Sequence, residues 1–432
     1  MYTKTRVKNI GKKIVLAILS WQTRRLQRAW KPKVVAVVGS YGKTSTKFAV
    51  ASALKRKFRV RFQEGNYNDI VTIPLVLFGE SLPSLLNPVA WTLLFVRNEM
   101  QLRKPAPYDV AVVELGTDGP GQIAAFKRYL HADIAVVTSI AYEHMEFFDG
   151  LGQVAEEELS VRKLSDKLFV NADLCDYEYY KHVRNPLDTY AMDSKATYTL
   201  DSIAHKDRAF MFTVKRDGVK LFDARMEGIA RVQLYSALAV TAVASDLGMS
   251  AEETVEGLAA IGPVAGRMQQ LKGIRDSLIL DETYNSSPEA TKAALDTLYE
   301  LEAPQKIALL GNMNELGDYS AEAHRDVGDY CDPKKLDLVV TIGEHANRVL
   351  APAARARGCT VEVCQSPYEA GEYLKEHVKK GAVVLAKGSQ NGVYAEEAIK
   401  YILNDPEDAK LLVRQSKHWL AIKRRRFQKN AR

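Results

Sequence analysis

Residues 33–46 read KVVAVVGSYGKTST, an apolar run that breaks at a glycine loop and continues with Lys43, Thr44 and Ser45. Residues 34–38 are a β-branched run of the kind that makes a buried parallel strand. From residue 44 to residue 57 the positions Phe48, Val50, Ala53 and Leu54 keep helical spacing. Strand, loop and helix in that order suit a triphosphate. Gly39 and Gly42, around Ser40 and Tyr41, let backbone N–H groups approach phosphate oxygens at the positive end of the helix. Lys43 is then in reach of the β- and γ-phosphates, and Thr44 of a Mg²⁺ ion. Val37 stands where the full P-loop pattern has its first glycine. A glycine turn of purely structural purpose is the competing reading; turn geometry alone does not explain Lys43-Thr44-Ser45 directly after the second glycine.

Outside this stretch, 432 residues with 47% hydrophobic and 26% charged content predict a soluble globular protein of two or three domains. The net charge of +7 is unevenly spread, since no Asp or Glu precedes Glu64 and Lys423-Arg424-Arg425-Arg426 sits near the other end. Such ends suit anionic lipid or acidic substrates, or are simply solvated. The run 14–19 is too short for a membrane span, which takes roughly 20 apolar residues. Lys12, Lys13, Arg24, Arg25 and Arg28 around Ile14, Ile18, Trp21 and Leu26 instead predict a basic amphipathic helix on a membrane surface or a partner. No small-residue cleavage site marks a secretory signal. Cys175, Cys331, Cys359 and Cys364 lack CxxC spacing, so neither a zinc site nor a disulfide framework is expected. Buried thiols in a reducing cytoplasm are the simpler expectation.

Strand-like runs at 109–115, 133–140, 277–281, 306–311, 336–343 and 382–386 alternate with helical patterns, which predicts parallel sheets covered by helices. Residues 209–226 predict two strands joined at Asp217-Gly218, a hairpin pair. A boundary falls near 262–267. The expected division is a leader over 1–30, a central α/β domain over 31–265, and a C-terminal α/β domain over 266–432 with a basic tail.

In open α/β sheets, ligands sit beyond the carboxyl ends of the strands. Glu114 closes one run and His144 follows another; both are placed to face phosphates held at Lys43, with Mg²⁺ between. Alternatively, Glu114 is a helix-start carboxylate and His144 a hydrogen-bonded loop histidine. Farther on, Asp281 to Pro288 reads DETYNSSP after a strand, with Arg267 before it. Either this is a turn, or Asp281 accepts from a ribose hydroxyl and Arg267 stabilises charge on a transferring phosphoryl group.

Taken together, the loop 39–45, Glu114-Leu115-Gly116, the 281–288 segment, residues 311–317 (GNMNELG) with His324, and Lys387-Gly388-Ser389 resemble the Mur ligases of peptidoglycan synthesis. The pattern is nearest the D-alanyl-D-alanine-adding branch and runs in order over residues 31–403. The resemblance implies a central P-loop-type ATPase domain with a mostly parallel sheet and a Rossmann-like C-terminal domain. It also implies a reaction in which ATP phosphorylates a carboxylate, an amine attacks the acyl phosphate, and an amide, ADP and phosphate result. Residue by residue, it gives Lys43 and Thr44 to phosphate and Mg²⁺, Glu114 and His144 to metal, Arg267 to the ATP phosphates, and Asp281 with Asn285 to the nucleotide. Asn66 and Asn68 fall on the family's substrate-facing loop; Lys387 and Ser389 are expected on the substrate side.

Four departures qualify the resemblance. Counting from His144, the family's carbamoylated lysine falls on Glu158, a carboxylate on a shorter stem that offers metal-ligating oxygens, unless 156–158 form a solvated acidic face. The family's Gly-x-His-Asn-x-x-Asn stretch reads ARVQLYS at 230–236, which puts its nucleotide contacts in doubt. Asn312 and Gln390 replace an Asp and an Arg, so substrate preference is expected to differ. The family's N-terminal UDP-binding domain is expected to have no counterpart, a basic leader standing in its place. The expectation is a precursor lacking UDP recognition, met at the inner face of the membrane, or a partner that replaces the domain.

The sequence therefore predicts a cytoplasmic, ATP- and Mg²⁺-dependent ligase that adds a dipeptide such as D-Ala-D-Ala to a peptide-bearing cell-wall precursor, with no nucleic acid among its partners. A polyglutamate or folylpolyglutamate type of amino-acid ligase, and a nucleotide-binding scaffold without catalysis, are the other readings.

Overall fold

The computed structural model describes residues 2–63, 65, 67–84 and 87–428, and the side chains of all these except 2–10 and 428. Two compact units divide the chain, one comprising 1–141, 147–227 and 233–262, the other 142–146, 228–232 and 263–432.

In the first unit, β1 (Lys33–Val38), β2 (Val60–Arg61), β3 (Val110–Glu114), β4 (Ala132–Val137), β5 (Ser165–Asn171), β6 (Leu187–Ala191), β7 (Tyr198–Lys206), β8 (Ala209–Arg216) and β9 (Val219–Glu227) form one sheet. Its order is β2-β3-β1-β4-β5-β6-β7-β8-β9, parallel as far as β7 and antiparallel beyond. β1 explains its own sequence. Val35 and Val37 face one apolar cluster with the helix Gln233–Asp246, while Val34, Ala36 and Val38 face a second one on the opposite side. A strand covered on both faces needs no polar alternation, which is why 34–38 is apolar throughout. The predicted hairpin is present: Arg216 pairs with Val219 across Asp217 (φ 50°) and Gly218 (φ 79°), the left-handed pair such a turn demands.

Four helices of this unit matter below: α1 (Tyr2–Trp30), α2 (Lys43–Leu54), α3 (Thr72–Phe78) and α4 (Pro88–Gln101). The amphipathic face expected of the leader is split. Leu26 lies about 140° around the helix from Trp21 at 3.6 residues per turn, and it is buried with Leu19, while Ile14 and Trp21 are exposed. The buried side docks onto the unit. Gln22 donates to the Phe95 carbonyl at 2.9 Å and accepts from Asn98 at 2.9 Å, Arg25 pairs with Glu99, and Trp30 packs edge-on against Phe78 and Tyr108.

In the second unit, β10 (Gln269–Lys272), β11 (Leu278–Glu282), β12 (Lys306–Gly311), β13 (Leu338–Ile342), β14 (Val361–Cys364) and β15 (Val383–Lys387) are ordered β10-β11-β15-β12-β13-β14. All pairs are parallel except β10 with β11. Apolar clusters cover both faces. The basic run near the C-terminus departs from the tail expected of it. Lys423 belongs to the helix Lys417–Gln428 and is buried, paired with Glu396 at 2.8 Å and Glu397 at 2.7 Å. A buried ammonium needs carboxylate partners, and two adjacent glutamates supply them; Arg424, Arg425 and Arg426 remain exposed. The cysteines are free and buried as expected.

Candidate functional site

At the carboxyl edge of the first sheet, β1 runs between β3 and β4, and the chain leaves it for one side and then the other. That is the crevice where open α/β sheets hold ligands. The loop 39–42 is built there by backbone geometry. Gly39 has φ 127°, and a Cβ on it would lie 2.3 Å from Thr138 Oγ1 and 2.8 Å from the Ser139 nitrogen, so only glycine fits. Ser40 N donates to the Ser139 carbonyl at 3.0 Å, Ser40 Oγ to the Ala141 carbonyl at 3.0 Å, and Tyr41 N to Ser139 Oγ at 2.8 Å. The residues after β4 therefore form the wall that shapes the loop. Gly42 (φ 81°) precedes α2, whose first turn carries no side-chain cap and no acidic residue, with Ser45 half-buried in it. The helix end thus keeps its positive character toward the loop.

Around this loop the structure brings together three of the expected side chains. Lys43 Nζ folds back to the Ser40 carbonyl at 2.9 Å and to that of Gly39. Thr44 Oγ1 donates to Glu114 Oε2 at 3.0 Å, and both are buried. Lys47, a residue the sequence reading passed over, closes on the same carboxylate at 3.2 Å. One turn after Lys43, its position on the inner face of α2 was the signal available. Asn68 stands beside them: its carbonyl accepts from Gly116 N at 2.9 Å, and its side chain fills the space where a Cβ on Gly116 would go. Asn66 lies outside the described residues.

Glu158 points inward. It is 2% exposed, and its Oε2 accepts from Gly39 N at 2.7 Å, while burial, and after it the Glu158 charge, pushes the Cys175 thiol up. Its neighbour Glu157 is buried too, accepting from Gly121 N at 2.6 Å and Ile123 N at 2.7 Å. A solvated acidic face is thereby ruled out for both. Among the described residues, no three His, Cys, Asp or Glu side chains cluster so as to hold a metal by themselves. The Thr44 hydroxyl and Glu114 carboxylate are nevertheless oxygen donors of the sort Mg²⁺ takes, since that ion is commonly held by one or two carboxylates plus substrate phosphates.

The second unit has its own polar edge. Asp281, at the end of β11, is fully buried; its Oδ1 accepts from Thr283 N at 3.1 Å and Oγ1 at 2.5 Å, and its Oδ2 has no protein partner among the described residues. Burial, which disfavours the ionised form, pushes its pKa up to about 6. Arg267 lies over the Tyr284 ring at 4.3 Å. Lys387 Nζ donates to the Asn285 carbonyl at 3.0 Å and sits 3.6 Å from Glu282; burial holds its pKa below the usual lysine value. Ser389 donates to the Ser286 carbonyl at 3.3 Å and accepts from Asn314 N at 2.9 Å. Lys387 and Ser389 thus tie the strand ends together from beneath. His144 (φ 54°) meets Glu315 at 2.9 Å, a hydrogen-bonded contact that holds the Glu315 carboxyl below its usual range. His324 is buried and accepts from Met313 N at 3.0 Å, so it braces the 311–317 loop; burial brings its pKa down to about 4. Sequence reasoning also missed Arg414, which donates to the Thr283 and Tyr284 carbonyls at 2.6 and 3.0 Å and pairs with Glu396.

Comparison with known proteins gives this geometry a family. The Mur ligase middle domain matches residues 37–244, and the Mur ligase glutamate ligase domain matches 266–390. The chain belongs to the Mur ligase family. It has the ATP-dependent amide-ligase fold of that family. The UDP-N-acetylmuramoyl-tripeptide–D-alanyl-D-alanine ligase of Bacillus subtilis (strain 168) is 25% identical over 387 residues, which are 87% of this chain and 76% of the relative. The Haemophilus influenzae enzyme of the same name is 26% identical over 88% of this Mur ligase and 78% of its own length. The solved MurF ligase of Thermotoga maritima, in complex with ADP, superposes with a TM-score of 0.73 at 25% identity, covering 89% of this chain and 83% of its own. This Mur ligase is thus MurF-like, and the expected pairing of an ATPase domain with a Rossmann-like domain is its fold.

Proposed function

We propose that this Mur ligase joins a dipeptide of the D-alanyl-D-alanine kind to the peptide carboxylate of a cell-wall precursor, with ATP as phosphoryl donor. The observation that carries the reading is the Gly39–Thr138 fit with Thr44 and Glu114 beside it, on a chain whose relatives bear the D-alanyl-D-alanine ligase name.

The loop amides and the uncapped start of α2 bind the phosphates, and Lys43 turns from its loop carbonyls to the transferring group. Thr44 and Glu114 would hold Mg²⁺, which neutralises phosphate charge when bound. Glu158 fixes the Gly39 amide and places a negative charge under the loop. In the second unit, Asp281 takes a ribose hydroxyl with the buried oxygen that has no protein partner among the described residues, Asn285 contacts the nucleotide, and Arg267 stabilises phosphoryl charge. His144, which the family pattern gives to metal, has Glu315 beside its Nδ1, a contact that orients the ring. Asn68 lines the acceptor side. The acceptor carboxylate attacks the γ-phosphorus and ADP leaves. The amine then attacks the acyl carbon, losing a proton as phosphate departs. The reading puts the enzyme in the cytoplasm, where ATP and activated precursors are made.

Phosphate release with a matrix of amines and carboxylates tests it. Release that needs both a D-alanyl dipeptide and a muramoyl-peptide acceptor is expected. Release only with glutamate and a folate or polyglutamate acceptor, or none despite ATP binding, would overturn it.

A further inference from the structure

Helix α4 carries Val89, Leu93, Val96 and Met100 at spacings of four, three and four residues, which fall within about 60° of arc on a helix of 3.6 residues per turn. Each is more than half exposed. The opposite side, Trp91, Leu94 and Asn98, is buried, so the stripe is not a fold-stabilising face. Beside it runs α1, clasped through Gln22, Asn98 and Glu99, with Ile14 and Trp21 exposed on the outward line. On the far flank of α1, Arg24, Arg28, Lys127 and His131 are among the residues lining a cavity of about 280 Å³.

We infer that this paired-helix surface is a docking site for an anionic lipid surface, the α4 stripe and Trp21 lying at the boundary between headgroups and acyl chains and Arg24, Arg28 and Lys127 meeting lipid phosphates. Charge decides the occupant. No acidic residue precedes Glu64, and two acids beside the helices are paired: Glu99 with Arg25 and Glu80 with Arg97. A second copy docked across a twofold axis would bring two patches of the same positive sign together. Anionic headgroups instead complement them, and basic residues flanking an exposed apolar helical stripe is the pattern of a helix lying in the interface. Among the described residues no helix is long and apolar enough to cross a membrane, so the contact is peripheral.

The test is co-sedimentation of the full chain with vesicles of phosphatidylglycerol and phosphatidylcholine, against vesicles of phosphatidylcholine alone. Binding to the anionic vesicles that weakens with salt is expected. The variant Val89→Ser/Leu93→Ser/Val96→Ser should lower partitioning by about tenfold or more, since each buried apolar side chain contributes to interfacial binding. Arg24→Gln/Arg28→Gln should remove the preference for anionic lipid, which separates the charge role from any folding defect of the first variant; melting temperature is read for both. No sedimentation of the wild type at low salt, or equal sedimentation of the serine variant, would overturn the inference. So would a dimer in light scattering that anionic vesicles leave intact and the serine substitutions dissolve.

Discussion

At the scale of single residues, buried charge sets the behaviour of the site. Glu158→Gln keeps an oxygen for the Gly39 amide but removes the charge under the loop; its turnover should fall by one to two orders of magnitude, about what supporting groups of a metal site cost, with little change in melting temperature. Unchanged kcat would take Glu158 out of the site. Lys47→Met leaves Glu114 without its ammonium in a buried place, and breaking such pairs costs about 3–5 kcal/mol, readable by urea unfolding. Two titrations oppose each other in acid. His324, with its pKa near 4 against the ordinary 6.5, contributes stability that is complete above pH 6.5 and is lost as pH falls toward 4. Asp281, raised to about 6 from 3.8, does the reverse: its contribution is complete below pH 3.8 and is lost as pH rises through 6. Asp281→Asn should therefore raise the melting temperature at pH 7.5, by a stability on the order of 2–3 kcal/mol at 1.36 kcal/mol per pKa unit, steepen the acid decline, and weaken ATP binding. A melting temperature at pH 7.5 that falls would contradict the assignment of Asp281 as a strained, ligand-seeking carboxyl.

At the scale of elements, the β1–loop–α2 unit was legible because its requirements are local. A doubly covered strand must be apolar, and a glycine pressed on Thr138 admits no side chain. Gly39→Ala should abolish ATP binding in equilibrium dialysis, since a Cβ 2.3 Å from Thr138 Oγ1 forces the loop open; retained affinity would mean that the loop does not need its present form. The hairpin at Asp217-Gly218 was legible for the same reason. What could not be read was set by partners distant in sequence. Lys423 looks like part of a solvated basic run until Glu396 and Glu397 are folded beside it, and for Glu158 the sequence leaves a metal ligand and a solvated acidic face both open until Gly39 N, 119 residues away, is folded against it. Leu26 was assigned to the outward face of the leader because helical spacing alone does not say which side α3 and α4 will cover. Helix α4 itself contains none of the motifs, and its stripe becomes visible only once exposure is known.

At the scale of the whole molecule, each unit supplies part of a ligase in its own right: the first a triphosphate loop with a hydroxyl–carboxylate pair, the second a strand-end carboxyl and an arginine. The order of the two domains along the chain, 37–244 and then 266–390, is that of a Mur ligase. The central claim is chemical, that a carboxylate is activated by phosphorylation before the amine arrives. An acceptor peptide labelled with ¹⁸O in its carboxylate tests it most directly, by mass spectrometry of the phosphate released during turnover with ATP and D-Ala-D-Ala. Transfer of one ¹⁸O from the carboxylate to phosphate for each amide formed is the predicted result; amide formation with unlabelled phosphate would contradict the account.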